Sequence, residues 1–223
     1  MTTILVVAPH PDDETLGCGG TLLRELGQGA EVHWAIATTM AGAPRFDAAR
    51  LQAREEEIEG VGRAYGFAAI HRASFATTRL DAVPIADRID WFSRIVTSVR
   101  PDTLYLPHPY DAHSDHAAVF EAAAACTKSF RYPSVRRVYC YETLSETEFG
   151  LGAGGVGAFV PTRFVDIAPQ LDRKLEIMAM YAGEMGMPPF PRSVESIRAL
   201  ACLRGVVAGT LAAEAFVVLR SIE

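Results

Sequence analysis

An α/β domain with a mostly parallel sheet and helices on both faces is the fold class predicted for this chain. Three observations predict it: short, continuous apolar runs of strand length, helical stretches alternating with them, and polar clusters directly after two of the runs. At 223 residues the chain fits one such domain, 1–223, whose core needs neither disulfides nor metal to form. A metal, if bound, is then expected to serve chemistry.

Ile4 to Ala8 is apolar throughout and bounded by Pro9 and Pro11, which reads as a buried parallel strand. A polar loop, a glycine-rich turn (Gly17, Gly19, Gly20) and a helix to about Gln28 follow. Glu31 to Ala37 is the second strand, and the small polar residues from Met40 to Asp47 form a loop. Asp47 is placed to cap a helix that runs through Arg54 and Glu57 and stops near Gly66. Ala68 to His71 is a third strand, Ile85 to Val99 a helix ended by Pro101, and Thr103 to Leu106 a fourth strand. A helix from about Asp115 to Lys128 and a strand from Arg136 to Tyr141 complete the regular alternation. Beyond Glu142 the pattern loosens. Gly150 to Gly157 reads as a flexible loop or lid, Arg163 to Ile167 as a strand, Pro169 to about Ala182 as a helix, and Gly186 to Pro191 as a second irregular loop. A last helix and the apolar segment Glu214 to Leu219 follow, and no internal repeat is present.

The net charge of −6, from 21 basic and 27 acidic residues, gives no electrostatic reason for nucleic acid or an anionic membrane as partner. No stretch approaches the ~18 apolar residues of a membrane span. The first apolar run is too short for a signal peptide and lacks a basic leader, so a cytoplasmic location is expected. The four cysteines (Cys18, Cys126, Cys140, Cys202) are scattered and form no C-x-x-C pair, which predicts reduced, mostly buried thiols. Cys18 alone lies near the polar loop, as a minor alternative ligand.

Ligands of open α/β sheets bind beyond the carboxyl ends of strands, and two polar clusters lie there. The first is Pro9-His10-Pro11-Asp12-Asp13-Glu14. His10 and Asp13 are three apart across a proline-stiffened loop, a spacing that can turn an imidazole and a carboxylate to one point. That donor pair suits zinc, though not zinc alone. Asp12, between them, is free to act on water. The second cluster is His108-Pro109-Tyr110-Asp111-Ala112-His113-Ser114-Asp115-His116, and one of its histidines would complete a His-Asp-His site with an open fourth position. Taken singly, each cluster also reads as loop packing and helix capping. Both at strand ends together favour a site.

These residues carry a resemblance. Ala8-Pro9-His10-Pro11-Asp12-Asp13-Glu14, followed by Leu16-Gly17-Cys18-Gly19-Gly20, resembles the signature of the PIG-L/LmbE-like zinc de-N-acetylase family, and Asp111-Ala112-His113-Ser114-Asp115-His116 resembles its second motif. Weaker likenesses run through Arg54-Glu55-Glu56-Glu57, Tyr139-Cys140-Tyr141-Glu142, Phe164 to Ile167, Lys174 with Tyr181, and Ala213-Glu214-Ala215-Phe216. The resemblance implies a Rossmann-like fold and a deacetylase of N-acetylglucosamine-type sugars or their conjugates. It implies zinc on His10, Asp13 and His116, Asp12 as general base, and His113 as oxyanion partner and acid for the leaving amine. It further implies that Asp115 orients His113, which would raise the imidazole's pKa, and that Arg54 contacts the substrate. Oligomers are common in that family, so a homo-oligomer is among its implications. Ser114 departs from the family's more usual proline, and neither 150–157 nor 186–191 matches a family feature.

Three other readings compete. A dinucleotide loop is disfavoured, because Gly17-Cys18-Gly19-Gly20-Thr21-Leu22 lacks the last glycine of G-x-G-x-x-G and no Walker lysine is present. A His-Asp-His set also describes non-haem iron oxygenases, which have no use for an Asp12–His113 acid–base pair. The third is a metal-binding protein without catalysis. Glu14 reads as a helix-start acid, Asp111 as either a metal-site support or a turn residue, and His33 and His71 as structural.

Overall fold

A computed structural model describes residues 2–43, 45–151 and 157–223. The chain order is β1 (Thr3–Ala8), α1 (Asp13–Gly27), β2 (Glu31–Thr39), α2 (Ala48–Tyr65), β3 (Ala69–Ala76), α3 (Ile85–Val99), β4 (Thr103–Pro107), α4 (Ser114–Ala125), β5 (Arg137–Tyr141), β6 (Arg163–Asp166), α5 (Leu171–Met178), α6 (Val194–Ala208) and β7 (Ala213–Ser221). The strands form one sheet ordered β3-β2-β1-β4-β5-β7-β6. The first five are parallel, whereas β7 runs antiparallel between β5 and β6.

The unbroken apolar run of β1 has a direct cause. Ile4, Val6 and Ala8 face a core shared with α1, α2, α5 and α6, while Leu5 and Val7 face a second core under α3 and α4. A strand covered on both faces has no polar side to display. Because β2 and β4 flank β1 on opposite sides, the strand order reverses between β1 and β4. The crevice at that reversal is where open α/β sheets bind ligands, and both polar clusters open onto it.

β3 is longer than the apolar signal of Ala68 to His71, because it resumes pairing with β2 through Thr38↔Phe75 after an irregularity. The helix expected over 169–182 is shorter, Leu171–Met178, preceded by a 3-10 turn at Ala168–Gln170. Residues 152–156 of the expected loop or lid lie outside the described residues. No helix among the described residues is long and apolar enough to cross a membrane.

The glycine-rich segment after the first motif belongs to α1, which breaks at Cys18 (φ −145°, ψ 16°). The break frees backbone donors, and Glu214 takes two: the Gly20 and Thr21 N–H groups donate to its carboxylate at 2.8 and 2.7 Å. Lys174 Nζ donates to Leu16 O and to Glu214, so the buried carboxylate is paired as well as hydrogen-bonded. Gly17 is there because α1 runs directly under Tyr141: a Cβ would lie 2.1 Å from Tyr141 Cδ2. That ring is fully buried and anchored by its hydroxyl, which donates to Val7 O at 2.8 Å. Gly17→Ala is therefore expected to destabilise. Overpacking costs about 1–3 kcal/mol, at the upper end for an anchored ring, against a helix-propensity gain of about 1 kcal/mol. A urea midpoint equal to that of the parent would contradict this packing argument.

Candidate metal centre and active site

His10 is carried by the loop leaving β1, and Asp13 starts α1. Asp13 Oδ2 accepts from the backbone N–H of His10 at 2.8 Å and lies 3.3 Å from His10 Nδ1. From beyond β4, His116 in the first turn of α4 brings Nε2 to 3.4 Å from the same oxygen. His10, Asp13 and His116 each offer one donor atom, all within 4.8 Å of one another.

The tautomers follow from the outward contacts. His116 Nδ1 lies 2.7 Å from Asp111 Oδ2, and a carboxylate only accepts, so Nδ1 carries the proton. Asp111 is fixed in turn by the Thr147 hydroxyl, which donates to Oδ1 at 2.6 Å. In the neutral ring His116 Nε2 therefore keeps the lone pair, buried, with no hydrogen-bond partner among the described residues. His10 Nε2 lies 3.1 Å from Asp115 Oδ2, which leaves Nδ1 facing Asp13. An orphaned imidazole nitrogen, a second imidazole and a buried carboxylate converging on one point fit a divalent metal such as zinc. Each imidazole is backed by its own carboxylate, the usual support of metal-binding histidines.

Electrostatics agree with a site built for a cation. Burial disfavours charge on His10, yet hydrogen bonds to Asp115 and Asp13 push its pKa up to about 9. Burial also opposes charge on His116, but Asp13 and Asp111 raise it to about 10. Despite its burial, Asp13 is held below the ordinary carboxylate range by His116 and His10. Such negative surroundings hold protons when no metal is bound and release them to a divalent cation.

Asp111, left open between two roles by the sequence, supports His116. Asp111→Ala is expected to weaken zinc binding about 10- to 100-fold, the typical cost of losing an outer-shell carboxylate. Competition with a chelator of known affinity measures this, and unchanged affinity would reduce Asp111 to a turn residue.

Asp12 occupies a backbone state rare outside glycine, φ 134° and ψ −29°, worth about 1–3 kcal/mol of strain. Its N–H donates to Glu14 Oε2 at 3.1 Å, and its carbonyl accepts from Thr15 and Leu16. Glu14 is itself gripped by the hydroxyls of Thr15 and Tyr181 at 2.6 and 2.7 Å. The expected helix-start acid is thus a fully buried brace, with a pKa pushed up by burial to about 7. The Asp12 carboxylate accepts no hydrogen bond among the described residues and lines the cavity beside the metal point. Burial, then Asp13 and Glu184, raise its pKa well above the ordinary range.

His113 and Asp115 are arranged differently from the expectation. The Asp115 carboxylate serves His10 and accepts the Thr78 and Leu80 N–H groups at 2.7 and 3.2 Å, while lying 3.9 Å from His113 Nδ1. What holds His113 is the backbone: the Asp115 N–H donates to Nδ1 at 3.1 Å. Burial first, then the neighbouring His10, outweighs the expected upward pull of Asp115 and lowers the His113 pKa to about 4. A neutral imidazole with its proton on Nε2 results.

Arg54 is buried, and its guanidinium is already engaged. Nη1 donates to Pro11 O at 3.0 Å, Nη2 contacts Glu184, and Nε lies 3.3 Å from Glu57. It lines the cavity but ties α2 to the metal loop. Glu184 also binds Arg50 and Arg192, each at 3.1 Å, so the segment following α5 is fastened over this rim. Nothing in the sequence pattern marked Glu184, which sits in an irregular stretch. Cys18 takes no part: its Sγ donates to Glu14 O within α1. His33 and His71 contact one another at 3.2 Å across β2 and β3, away from the site.

The cavity over these groups has a volume of about 690 Å³, within the range of small-molecule sites. Its floor carries the metal-loop residues, and His113, Glu146 and Arg192 contribute to its walls.

The fold and site together define an α/β protein with a mononuclear metal centre candidate at the strand-order reversal. Residues 5–127, more than half the chain, match the PIG-L family, described as GlcNAc-PI de-N-acetylase, and the chain belongs to that family. It is 29% identical over 147 residues to the uncharacterized deacetylase YaiS of Escherichia coli K12, covering 64% of this chain and 74% of that protein. It is 25% identical over 228 aligned positions to diacetylchitobiose deacetylase of Thermococcus kodakarensis, covering 95% and 80%. In structure it is similar to the conserved protein TT1542 of Thermus thermophilus, with a TM-score of 0.79 and 26% identity over 100% of this chain and 97% of that one.

Proposed function

We propose that this protein is a zinc-dependent N-deacetylase acting on an N-acetylglucosamine-type sugar or sugar conjugate. The observation that carries the reading is the buried, unpartnered His116 Nε2 facing Asp13 and His10, with the free carboxylate of Asp12 beside it. Membership of a de-N-acetylase family and likeness to deacetylases supply the reaction and the sugar.

His10 Nδ1, Asp13 Oδ2 and His116 Nε2 are the proposed ligand atoms. What zinc supplies there is polarisation of an amide carbonyl and a lowered pKa for water, to about 7. Asp12 takes a proton from the attacking water, and its raised pKa lets it keep that proton until the amine departs. His113, neutral and protonated on Nε2, donates a hydrogen bond to the developing oxyanion. Asp12 then delivers that proton to the leaving nitrogen. Asp115 acts by orienting His10 and, through its backbone, His113. Arg54 holds Pro11, and with it the loop carrying Asp12.

Incubating zinc-reconstituted protein with a panel of N-acetylated amino sugars and their glycosides tests the reading. Free amine and acetate are expected in equal amounts. No amine from any member of the panel would overturn it.

A further inference from the structure

A pair of histidines stands apart from the candidate metal centre. His33 on β2 and His71 on β3 are half-buried on neighbouring parallel strands, on the sheet face that carries Ala35 and Ala37 under α3 and α4. His33 stands in register with Leu5, well before the end of β1 at Ala8 where the metal loop begins. The facing nitrogens, His33 Nδ1 and His71 Nε2, are 3.2 Å apart, and the ring planes differ by 24°. Two imidazole nitrogens on one tetrahedral zinc, each at about 2.0–2.1 Å, stand about 3.3 Å from one another. The pair already has that span. On its far side His33 Nε2 lies 3.0 Å from Glu31 Oε1, and a carboxylate only accepts, so the proton sits there. In the neutral ring Nδ1 therefore keeps the lone pair, and the imidazole is backed by a carboxylate as metal-binding histidines are. Burial, then His33, lowers the His71 pKa, so this ring too is neutral at pH 7. Both rings are carried by strands, which hold donors more precisely than loops do.

We propose that His33 and His71 form a second, peripheral site for a late first-row transition-metal cation such as zinc, with water completing its coordination. Imidazole suits such ions, whereas magnesium and calcium take oxygen donors. Without metal, the His71 Nε2–H donates to His33 Nδ1. On binding, that proton is exchanged through solvent to His71 Nδ1, and a small turn of the half-buried rings brings both lone pairs to one ion. Bound there, the ion ties the edge strand β3 to β2 and favours the folded chain by mass action. With two protein donors against three, the site is weaker than the one at His10, Asp13 and His116. It stands or falls independently of the deacetylase reading.

Calorimetric titration of the metal-stripped full chain with zinc tests it. Two classes of site are expected, the tighter lost in Asp13→Ala. His33→Gln and His71→Gln should each weaken the second class by more than about tenfold, since losing an outer-shell partner alone costs about 10- to 100-fold. The tighter class should be unchanged in both glutamine variants, which also shows that they fold. Nitrogen NMR of the unaltered chain gives a reading that needs no variant: among its six histidines, the His33 Nδ1 and His71 Nε2 resonances should move during the second equivalent of zinc. A single class of site, a second class that survives both glutamine substitutions, or His33 and His71 nitrogens unmoved at saturating zinc would overturn the proposal and leave a hydrogen-bonded pair.

Discussion

Asp12→Asn is expected to lower kcat about 10²- to 10⁴-fold, the usual contribution of a positioned proton acceptor, while zinc content stays at that of the parent. The argument is geometric. The Asp12 carboxylate lines the cavity without accepting a hydrogen bond among the described residues, whereas Asp13 Oδ2 is the atom that both imidazoles face. Asparagine preserves shape and tolerates a positive φ better than most residues, so the strained loop survives the change. An amide cannot take a proton from water. Loss of zinc in this variant would move Asp12 into the ligand set, and near-parental kcat would remove it from proton transfer. His113→Ala provides a useful contrast: it removes a hydrogen-bond donor but no base. Its kcat is expected to fall about 10²- to 10³-fold, as for removal of an oxyanion donor.

His116→Ala is expected to abolish turnover through the metal. Removing a direct ligand should weaken zinc binding beyond the 10- to 100-fold of an outer-shell loss, leaving the protein largely metal-free at micromolar zinc. The substitution also leaves the Asp111 and Asp13 carboxylates without an imidazole at 2.7 and 3.4 Å, so a thermal melt should accompany the metal assay. His116→Gln, which fills more of the volume, separates failure to fold from failure to bind. A folded His116 variant with unchanged zinc would refute the ligand role.

Much of the architecture could be read directly from the chain. β1 and β4 are short and, after a leading threonine, apolar because both faces are covered, and each runs straight into a cluster of His and Asp. Two such clusters at strand ends placed His10, Asp13 and one histidine of the second cluster at one rim; the family resemblance implied that it is His116, and the structure brings the donor atoms of these three together. Other features escaped, for physical reasons. β7 inserts antiparallel between β5 and β6, a non-local pairing that leaves no mark on the periodicity of its own residues. Asp115 follows His113 by two positions, and the family resemblance implied a pair. The turn into α4 instead gives His113 the backbone N–H and turns the carboxylate to His10 across the crevice. Glu14 looked like an N-terminal helix charge, because Tyr181, which completes its burial and bracing, lies 167 positions away. Glu184 was invisible for a similar reason: two of its three arginines, Arg50 and Arg54, come from α2, and only Arg192 lies in its own segment.

The central claim is that a metal held by His10, Asp13 and His116 drives deacetylation. Titrating metal-stripped protein with zinc, while recording bound zinc and free amine from a responsive N-acetylated sugar, tests it most directly. Amine release rising in step with zinc to one equivalent, and absent in the Asp13→Ala variant, is the predicted result. Full activity in metal-free protein, or turnover that needs iron and consumes oxygen, would contradict it.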